Sequence, residues 1–466
     1  IGGLMPINSF LYPAPSTPTF AYNVANSLRF NRADSSKLIK QPSSVGNGYK
    51  GTLSVWIKRS GIGTAQQIIG QQSSGYARMY INSSDQLRIY GNSSAENNEF
   101  DLKTNRLFRD VSAWYHIVFA WDNTQSTASN RNKIFVNGVQ ETSFATETYN
   151  AQNAQIGGGF FVNSNNLGIS STSSSDFFDG YMAEVVGIEG TTYDATSFGE
   201  FNSDSPTIWQ PIDVSGLTFG TNGFYLDFED SSNLGNDANG GTDFTETNLA
   251  ATDQSTDTCT NNFATLNPLV KAPSSITFSE GNLKAVHPGS WTGVPATIGV
   301  QSGKWYWECK ITTGNSANTF TGICVEDINF NDSTVYDETG MITYFANGRK
   351  TVDGTETASF FSSLATNDIV GVALDLDSGT RTVTFTKNGS ASGSAVNLTS
   401  NFDNKFIFPV GIGNSSSATA NWEFNFGSPS YSESGGNSDS NGYGNFASSV
   451  PSGHYALNTK NLAEFG

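Results

Sequence analysis

The stretch Ala113–Gln140, AWYHIVFAWDNTQSTASNRNKIFVNGVQ, decides the fold class. It opens with an apolar and aromatic run, Trp114–Trp121, of the kind that suits a half-buried pleated strand. A polar loop follows, then a second apolar run, Lys133–Val136, and then Asn137–Gly138. Because Asn-Gly accepts the positive φ angles of a tight turn at low cost, the stretch predicts a β-hairpin.

The same order of features recurs far downstream in Asp368–Ser390, DIVGVALDLDSGTRTVTFTKNGS. An apolar strand is again followed by Asp, a polar turn, a Val/Thr/Phe strand and the pair Asn388–Gly389. Two copies of this pattern predict two related β-domains in tandem. The alternative is that two ordinary hairpins resemble each other by coincidence.

Alternating apolar residues predict further strands. Leu53, Val55 and Ile57 alternate with polar or amphipathic residues, and Trp305 and Trp307 do the same downstream. A period of two is typical of a strand with one buried face. Short strands at turn-marked intervals, with almost no helical spacing, favour a sandwich or a jelly roll.

Blocks of sequence in each half resemble known families. The first half resembles the laminin G-like branch of the concanavalin A-like lectins and glucanases, through SLRFNRADSSKL (Ser27–Leu38), GTLSVWIKRS (Gly51–Ser60), WYHIVFAWD (Trp114–Asp122) and KIFVNGVQ (Lys133–Gln140). The second half resembles a SPRY domain, itself a concanavalin A-like sandwich, through GNLKA (Gly281–Ala285), SGKWYWECKI (Ser302–Ile311), TGIC (Thr321–Cys324) and GVALDLDSGTRTVTFTKNG (Gly371–Gly389). The expected fold is therefore all-β, with two tandem concanavalin A-like jelly-roll sandwiches joined by an extended linker.

The same evidence divides the chain into five segments. They are an extended N-terminal arm (1–20), a laminin G-like sandwich (21–212), a linker (213–262), a SPRY-like sandwich (263–430) and a C-terminal tail packed on the SPRY unit (431–466). The arm carries four of the 14 Pro residues, which resist both helix and central strand. It is interpreted as an attachment segment or, alternatively, as a flexible leader.

The charge balance excludes some classes of partner. The chain has 24 basic and 42 acidic residues, a formal net charge of −18, and its basic residues do not cluster. Proteins that neutralise phosphates need clustered Lys and Arg, so nucleic-acid binding is not expected. No run approaches the roughly 18 apolar residues that would span a bilayer, so membrane insertion is not expected either.

The enzyme hypothesis fails on the residues that it requires. Retaining glycosidases place two carboxylates about 5 Å apart, and jelly-roll glucanases supply them from an E-x-D-x-x-E strand. The nearest acidic group here, Asp227, Glu229 and Asp230, has the wrong order and spacing. His116 lies inside an aromatic strand, where a core histidine is the simpler interpretation. No nucleophile-elbow motif is present.

Calcium is the ion that the laminin G-like resemblance implies, held at the sandwich rim by Asp and carbonyl oxygens. The candidate ligands are the aspartates at predicted turns, Asp34, Asp85, Asp122 and Asp179. Asp is also a plain turn former, and no D-x-D-x-D loop is present. The expectation is therefore no cofactor, with calcium as the alternative.

Recognition is the remaining role. Exposed aromatics that stack on sugar rings favour glycan binding, and three candidates lie near or in predicted loops of the second domain: Trp291, Tyr336 and Tyr344. The alternative is that each ring fixes its own loop to the sandwich.

The order of the two domains resembles tail-fibre and appendage proteins of bacteriophages. The resemblance implies a non-enzymatic virion protein, homotrimeric by analogy, that contacts other virion proteins and a host-surface glycan or protein. One rival is a capsid decoration, head-fibre or collar protein. Others are a secreted carbohydrate-binding module or enzyme, and a cellular adhesin with a signal peptide upstream of Ile1.

Overall fold

The structure is a computed structural model, and it describes most of the chain. The described residues are 22–72, 76–92, 100–154, 160–161, 166–270, 276–287, 292–313, 319–330, 335, 338–413 and 420–466. Trp291 and Tyr336 lie outside these ranges. No membrane-spanning helix is found in the described part of the chain.

Short strands dominate the described residues up to Ser255. They are β1 (Ser27–Phe30), β2 (Lys37–Lys40), β3 (Lys50–Arg59), β4 (Gln66–Gln72), β5 (Tyr76–Ile81), β6 (Gln86–Asn92), β7 (Phe100–Leu107), β8 (Tyr115–Asp122), β9 (Asn132–Val136), β10 (Val139–Gln140), β11 (Phe144–Thr148), β12 (Asn166–Ile169), β13 (Gly180–Glu189), β14 (Gly199–Phe201), β15 (Trp209–Pro211), β16 (Phe224–Leu226), β17 (Thr245–Thr247) and β18 (Gln254–Ser255).

Strands also dominate the second half. They are β19 (Thr277–Ser279), β20 (Lys284–His287), β21 (Thr292–Pro295), β22 (Lys304–Thr313), β23 (Thr319–Val325), β24 (Met341–Phe345), β25 (Lys350–Val352), β26 (Thr355–Thr357), β27 (Ile369–Asp375), β28 (Thr382–Lys387), β29 (Ser390–Ala391), β30 (Val396–Asn397), β31 (Ile407–Gly413), β32 (Ala420–Asn425) and β33 (Tyr455–Ala456). One α-helix, α1 (Thr459–Phe465), closes the described chain. Short 3₁₀ turns lie at Arg32–Asp34, Ala128–Asn130, Ala195–Ser197, Ala251–Asp253 and Ser400–Phe402.

The strands form two sandwiches. In the first, a sheet in the order β10-β9-β8-β3-β13-β1-β18, with β16 paired to β13, packs against a sheet in the order β11-β7-β6-β5-β4-β12-β2-β17. In the second, a sheet in the order β19-β20-β32-β22-β27-β28-β29, with β30 and β33 paired to it, packs against β21-β31-β23-β24-β25-β26. The predicted all-β fold of two sandwiches is confirmed.

The two Asn-Gly hairpins have the same local structure. Asn137 and Asn388 have φ angles of 48° and 49°, and each is followed by Gly with φ near 78° (77° and 78°). The Oδ1 atom of each Asn accepts a hydrogen bond from the backbone N–H of a residue on the neighbouring strand, His116 on β8 at 2.8 Å and Ile369 on β27 at 2.9 Å. The repeated sequence pattern therefore forms the same turn geometry in both domains.

The segment 213–262, predicted as a linker, also extends the first sandwich. β16 pairs with β13 and β18 pairs with β1 in one sheet, and β17 pairs with β2 in the other. Phe224, Phe228 and Phe244 enter the core of that sandwich. Because a few large aromatics are buried among many polar residues, this polar segment is ordered by packing along the sandwich.

The prediction of one buried face for β3 and β22 is wrong. Trp56 and Lys58 on the second face of β3 are buried, and so are Tyr306 and Glu308 on the second face of β22. Covering segments explain the difference. Residues from 191–225 and Val24 form a second apolar cluster over the first sheet, and the tail covers the sheet that contains β22.

The tail is fixed to the second sandwich through a buried carboxylate. Glu308 on β22 accepts hydrogen bonds from the backbone N–H groups of Ala447 and Ser448, both at 2.9 Å, and from the Tyr306 hydroxyl at 3.0 Å. β33 of the tail also pairs in parallel with β22. The tail thus lies against the second sandwich as a third layer.

A buried ion pair fixes the segment that leads from the first sandwich into the second. The Lys58 Nζ atom lies 2.7 Å from the Asp257 carboxylate, and it also donates to Asn262 Oδ1 at 2.7 Å and to the Phe263 carbonyl at 3.0 Å. The other Asp257 oxygen accepts from the Trp114 indole at 3.3 Å. Burial raises the pKa of Asp257, and the ammonium of Lys58 opposes that shift.

We expect Lys58→Met to lower the free energy of unfolding by about 3–5 kcal/mol, because it leaves the Asp257 charge buried and unpaired. Combining Lys58→Met with Asp257→Asn removes both charges and should recover part of this loss. Chemical denaturation of the full chain measures both effects. Lys405→Met is the matched control, since its pair with Asp327 is exposed and worth less than about 1 kcal/mol. Equal losses in Lys58→Met and Lys405→Met would contradict the role given to Lys58.

Candidate binding surface at the seam between the sandwiches

The two sandwiches meet along a close seam. The Tyr181 hydroxyl donates to the Gly281 carbonyl at 3.1 Å, and the Asn282 side chain donates to the Ser60 carbonyl at 2.8 Å. Gly281 has a φ of 65°, and a Cβ placed there would lie 2.1 Å from the Tyr181 hydroxyl. Glycine is therefore required at this contact. The buried guanidinium of Arg29 lies 3.4 Å from Glu280 across the same seam.

One end of the seam contains an apolar cavity of about 360 Å³, here called the tryptophan pocket. It is lined by Trp56, Ala113, Trp114, Ile208, Trp209, Cys259, Asn262, Thr459, Lys460 and Ala463. The first sandwich supplies the three tryptophans and α1 supplies the opposite rim. Sequence reasoning missed this pocket. The available signal was a Trp at position 56, on the face of β3 that was expected to be solvated.

His116 lies behind this pocket, stacked between Trp56 at 4.6 Å and Trp209 at 6.0 Å between ring centroids. The Trp209 indole N–H donates to Nδ1 at 2.9 Å, so Nε2 carries the proton and donates to Ser54 Oγ at 2.8 Å. Complete burial lowers the pKa of His116 to about 3. Because its Nε2 already donates, His116 does not act as a base towards Ser54, and it is a core histidine as the sequence indicated.

The seam continues as a polar groove, here called the seam groove. It consists of two adjoining cavities of about 360 and 260 Å³ that share Thr256, Gly427 and Asn445. Its polar lining comes from the residues just before β1, from the end of the segment 213–262 and from the tail. These residues are Asn23, Asn26, Gln254, Thr256, Asn261, Tyr431, Glu433, Tyr443, Asn445 and Lys460. Amide and hydroxyl groups of this kind recognise neutral polar ligands by hydrogen bonds.

Two lining residues of the groove have polar atoms without a hydrogen-bond partner among the described residues. They are the Tyr431 hydroxyl and the Asn445 Oδ1 atom, and both atoms are buried. One face of the Tyr431 ring is covered by the Lys310 ammonium, 4.3 Å from the ring centroid. A buried polar group without a partner costs free energy, which a ligand hydroxyl would recover.

The first sandwich also contains a buried carboxyl group, that of Glu184 on β13, beneath Tyr22 and Tyr225. Glu184 sits at a bulge in β13 with a φ of 49°, and its carboxyl accepts from the Tyr225 hydroxyl at 2.8 Å and the Tyr22 hydroxyl at 3.3 Å. Burial, opposed by these hydrogen bonds and reinforced by Asp227 and Glu229, raises the pKa of Glu184 to about 8. Glu184 is therefore protonated in the folded chain at neutral pH.

This shift predicts a pH-dependent stability. The unfolded chain loses the Glu184 proton near the ordinary glutamate pKa of 4.5 while the folded chain keeps it to about pH 8, so stability falls as pH rises between these values. Glu184→Gln stays neutral throughout. Its free energy of unfolding should match wild type near pH 4 and exceed it near pH 9 by on the order of a few kcal/mol.

Thermal unfolding of both proteins across this pH range measures the difference. Glu200→Gln, at an exposed position, is the matched control and should show no such divergence. A pH profile of Glu184→Gln parallel to wild type would contradict the assignment.

Tyr344, one of the three aromatics predicted to bind ligand, is a core residue. Its side chain is fully buried, its ring stacks on Phe361 at 4.4 Å, and its hydroxyl interacts with the Ser362 carbonyl and Ser392. The prediction is therefore wrong for Tyr344, because its ring points into the sandwich. Trp291 and Tyr336 fall outside the described residues.

The four predicted calcium ligands do not form one site. Asp85 pairs with Arg59 at 3.0 Å, at one end of β3, and Asp122 pairs with Lys50 at 3.1 Å, at the other end. Ten residues of strand separate these ends by about 30 Å. Asp85 and Asp122 are therefore neutralised by cationic side chains, and this set is not a calcium site.

The other two predicted ligands, Asp34 and Asp179, do not belong to a metal-holding group among the described residues either. Asp34 is exposed and accepts from the Asn31 amide at 2.7 Å. Asp179 is a buried carboxyl, and burial raises its pKa to about 6. Within the described residues, no group of three or more His, Cys, Asp or Glu side chains could hold a metal ion.

Hydrogen bonds outweigh burial in setting the charge of the paired aspartates. Burial acts to raise the pKa of Asp85, but the Gly63 N–H and the guanidiniums of Arg109 and Arg59 bring it below its usual value. Burial also acts to raise the pKa of Asp122, but hydrogen bonds from Thr124, Gln125 and Lys50 together lower it to about 2. Both aspartates are ionised partners of cations within the fold.

The acidic group nearest to a glucanase triplet is a set of turn residues. Asp227 accepts from the backbone N–H of Glu229 at 3.1 Å, and Asp230 accepts from that of Ser232 at 2.8 Å. Glu229 and Asp230 are exposed. Their observed bonds are those of turn formers, as the sequence indicated.

The fold is that of two β-sandwiches that meet along a seam with two cavity-bearing regions, the tryptophan pocket and the seam groove. A family model of the concanavalin A-like lectin/glucanases superfamily, in its laminin G-like branch, matches residues 31–187, and a SPRY domain model matches residues 304–429. The chain contains a laminin G-like domain followed by a SPRY domain. Both kinds of domain are commonly binding or adhesion modules.

Solved structures similar to parts of the chain include the SPRY domain of human HERC1, with 21% identity, a TM-score of 0.29, and coverage of 34% of this chain and 96% of that one. A human SPRY domain has 14% identity, a TM-score of 0.26, and coverage of 34% and 98%. A heptameric SAP-like pentraxin from Limulus polyphemus has 15% identity, a TM-score of 0.25, and coverage of 36% and 77%. No curated protein matches the sequence.

Proposed function

We propose that the protein is a non-catalytic recognition module that binds a glycan in the seam groove. The observation that carries the proposal is the pair of buried polar atoms without partners, Tyr431 Oη and Asn445 Oδ1, among the neutral polar residues that line the groove. A sugar offers hydroxyl groups that both donate and accept, so it can satisfy a hydroxyl and an amide oxygen together. Tyr443, at the rim, offers an aromatic surface beside them.

The composition of the surface supports a glycan over an ionic ligand. Charged residues make up 14% of the chain, and the groove is lined mainly by Asn, Gln, Ser, Thr and Tyr. The groove also lies between two sandwiches that are joined by buried contacts, so its shape is set before a ligand binds. A preformed site loses less conformational entropy on binding.

Tyr431→Phe should weaken glycan binding about three- to ten-fold, because it removes one ligand hydrogen bond. It should leave the thermal stability unchanged or slightly higher, since the hydroxyl has no hydrogen-bond partner among the residues that the structure describes. An array of bacterial capsular and O-antigen polysaccharides identifies the ligand, and calorimetry then measures its Kd for wild type and variant. Asn445→Ala should weaken binding in the same way.

Tyr49→Phe, on the exposed surface of the first sandwich, is the matched control and should bind as wild type does. Binding that is unaffected by Tyr431→Phe combined with Asn445→Ala would exclude the seam groove as the glycan site. Release of reducing ends from a bound polysaccharide would contradict the non-catalytic assignment.

We also propose that the chain is displayed on an appendage of a bacteriophage particle, as a homotrimer in contact with other virion proteins. The support is the resemblance in domain order, laminin G-like then SPRY, together with a surface wetted by Ser, Thr, Asn and Gly. A recognition module at a particle surface meets host glycans directly. Assembly in the cytoplasm of the host suits three cysteines that are all free.

An antibody against the purified chain should label particles at an appendage in electron micrographs. Light scattering of the purified full chain should give three times the monomer mass. Labelling of the capsid surface would favour the decoration-protein alternative, and absence of the chain from purified particles would contradict the virion assignment.

A further inference from the structure

The described chain begins at Tyr22, close to the tryptophan pocket. The ring of Tyr22 packs against the same apolar cluster that contains Trp56, Trp114 and Trp209. The side chain of the next residue, Asn23, accepts a hydrogen bond at 2.8 Å from Lys460 Nζ, and Lys460 lines the pocket. Asn23, next to the first described residue, therefore contacts the pocket rim through Lys460.

The chemistry of the preceding residues matches the pocket. Residues 1–21 contain no charged side chain, but they include Phe10, Leu11 and Tyr12 and four prolines, two of them in the run LYPAP (residues 11–15). Proline-rich segments favour the extended polyproline conformation, and grooves lined by aromatic residues bind them with a small loss of entropy. Three tryptophans and an exposed Ile208 supply such a surface here.

We propose that the tryptophan pocket is the docking site for the chain's own N-terminal arm, with the Leu11–Pro15 run as its occupant. The ten residues from Tyr12 to Tyr22 span up to about 31 Å at roughly 3.1 Å per residue, which is ample to return a segment to a pocket beside its point of exit. Docking covers the apolar surface that the pocket still exposes, including Ile208, together with the apolar side chains of the arm. The pocket shares Lys460 with the seam groove, but neither Tyr431 nor Asn445 lines it.

Cys259 reports on the occupancy of the pocket. It lines the pocket and is partly exposed, whereas Cys309 and Cys324 are buried in the second sandwich. The experiment compares the rate of Cys259 alkylation by iodoacetamide in the full chain and in a chain that lacks residues 1–20, with peptide mass spectrometry as the readout. If the pocket is occupied for nine-tenths of the time, removal of the arm should raise the rate about ten-fold.

Two further measurements make the result specific. A synthetic peptide of residues 1–20 should restore protection in the truncated chain, and the same peptide with Leu11→Asp and Tyr12→Asp should not. In the full chain, Ile208→Asp at the pocket rim should also raise the Cys259 rate, while Val270→Asp, a similarly exposed β-branched position on the second domain, should not.

Equal Cys259 rates in the full and truncated chains would overturn the proposal. Protection that grows with protein concentration would also overturn it, because it would assign the occupant to the arm of a second copy. If truncation unfolds the chain, Cys309 and Cys324 will react as well, and Ile208→Asp then decides the outcome in the intact chain. Unchanged Cys259 reactivity in Ile208→Asp would count against docking.

Discussion

The buried ammonium of Lys58 is the constraint on which the arrangement of the two sandwiches depends. A charge without water needs a counter-charge and a full set of acceptors, and Lys58 has them in Asp257, Asn262 and the Phe263 carbonyl. All three lie in the few residues that lead from the first sandwich into the second. If the chain left the first sandwich along another path, the buried Lys58 ammonium would lose its counter-charge and its acceptors. The position of the second sandwich therefore follows from a residue on β3.

Burial on both faces of the central sheets follows from the same arrangement. The outer face of β3 is covered by the segments around Trp209 and Tyr225, and that of β22 is covered by the tail through Glu308. A chain in which 14% of residues are charged has few groups available to solvate exposed sheet faces. Segments that carry scattered aromatic residues cover these sheet faces instead, and they lie close to the seam between the sandwiches. The tryptophan pocket and the seam groove are gaps between these layers.

Sequence reasoning succeeded where local rules were sufficient and failed where the outcome depends on remote segments. The Asn-Gly pairs need positive φ angles beside strands of period two, so both hairpins were placed correctly. Burial of Lys58 and Glu308 was not predictable, because segments distant in sequence cover them. An aromatic residue near a predicted loop either meets a ligand or packs on its own sandwich, and Tyr344 does the second. An aspartate at a turn binds a metal only if other oxygens converge on it, and Asp85 and Asp122 lie at opposite ends of β3.

The proposed location of the recognition surface, at the seam rather than on single loops, has a physical basis. A loop must lose conformational entropy when it closes on a ligand, whereas Tyr431 and Asn445 are held by structure on both sides before a ligand arrives. Lys310 fixes the ring of Tyr431, and the backbone carbonyl of Asn445 is held by the Asn425 side chain at 2.8 Å. The folded chain without ligand thus already bears the free-energy cost of two buried polar atoms that have no partner among the described residues. A ligand that supplies those hydrogen bonds gains binding free energy without having to order the site.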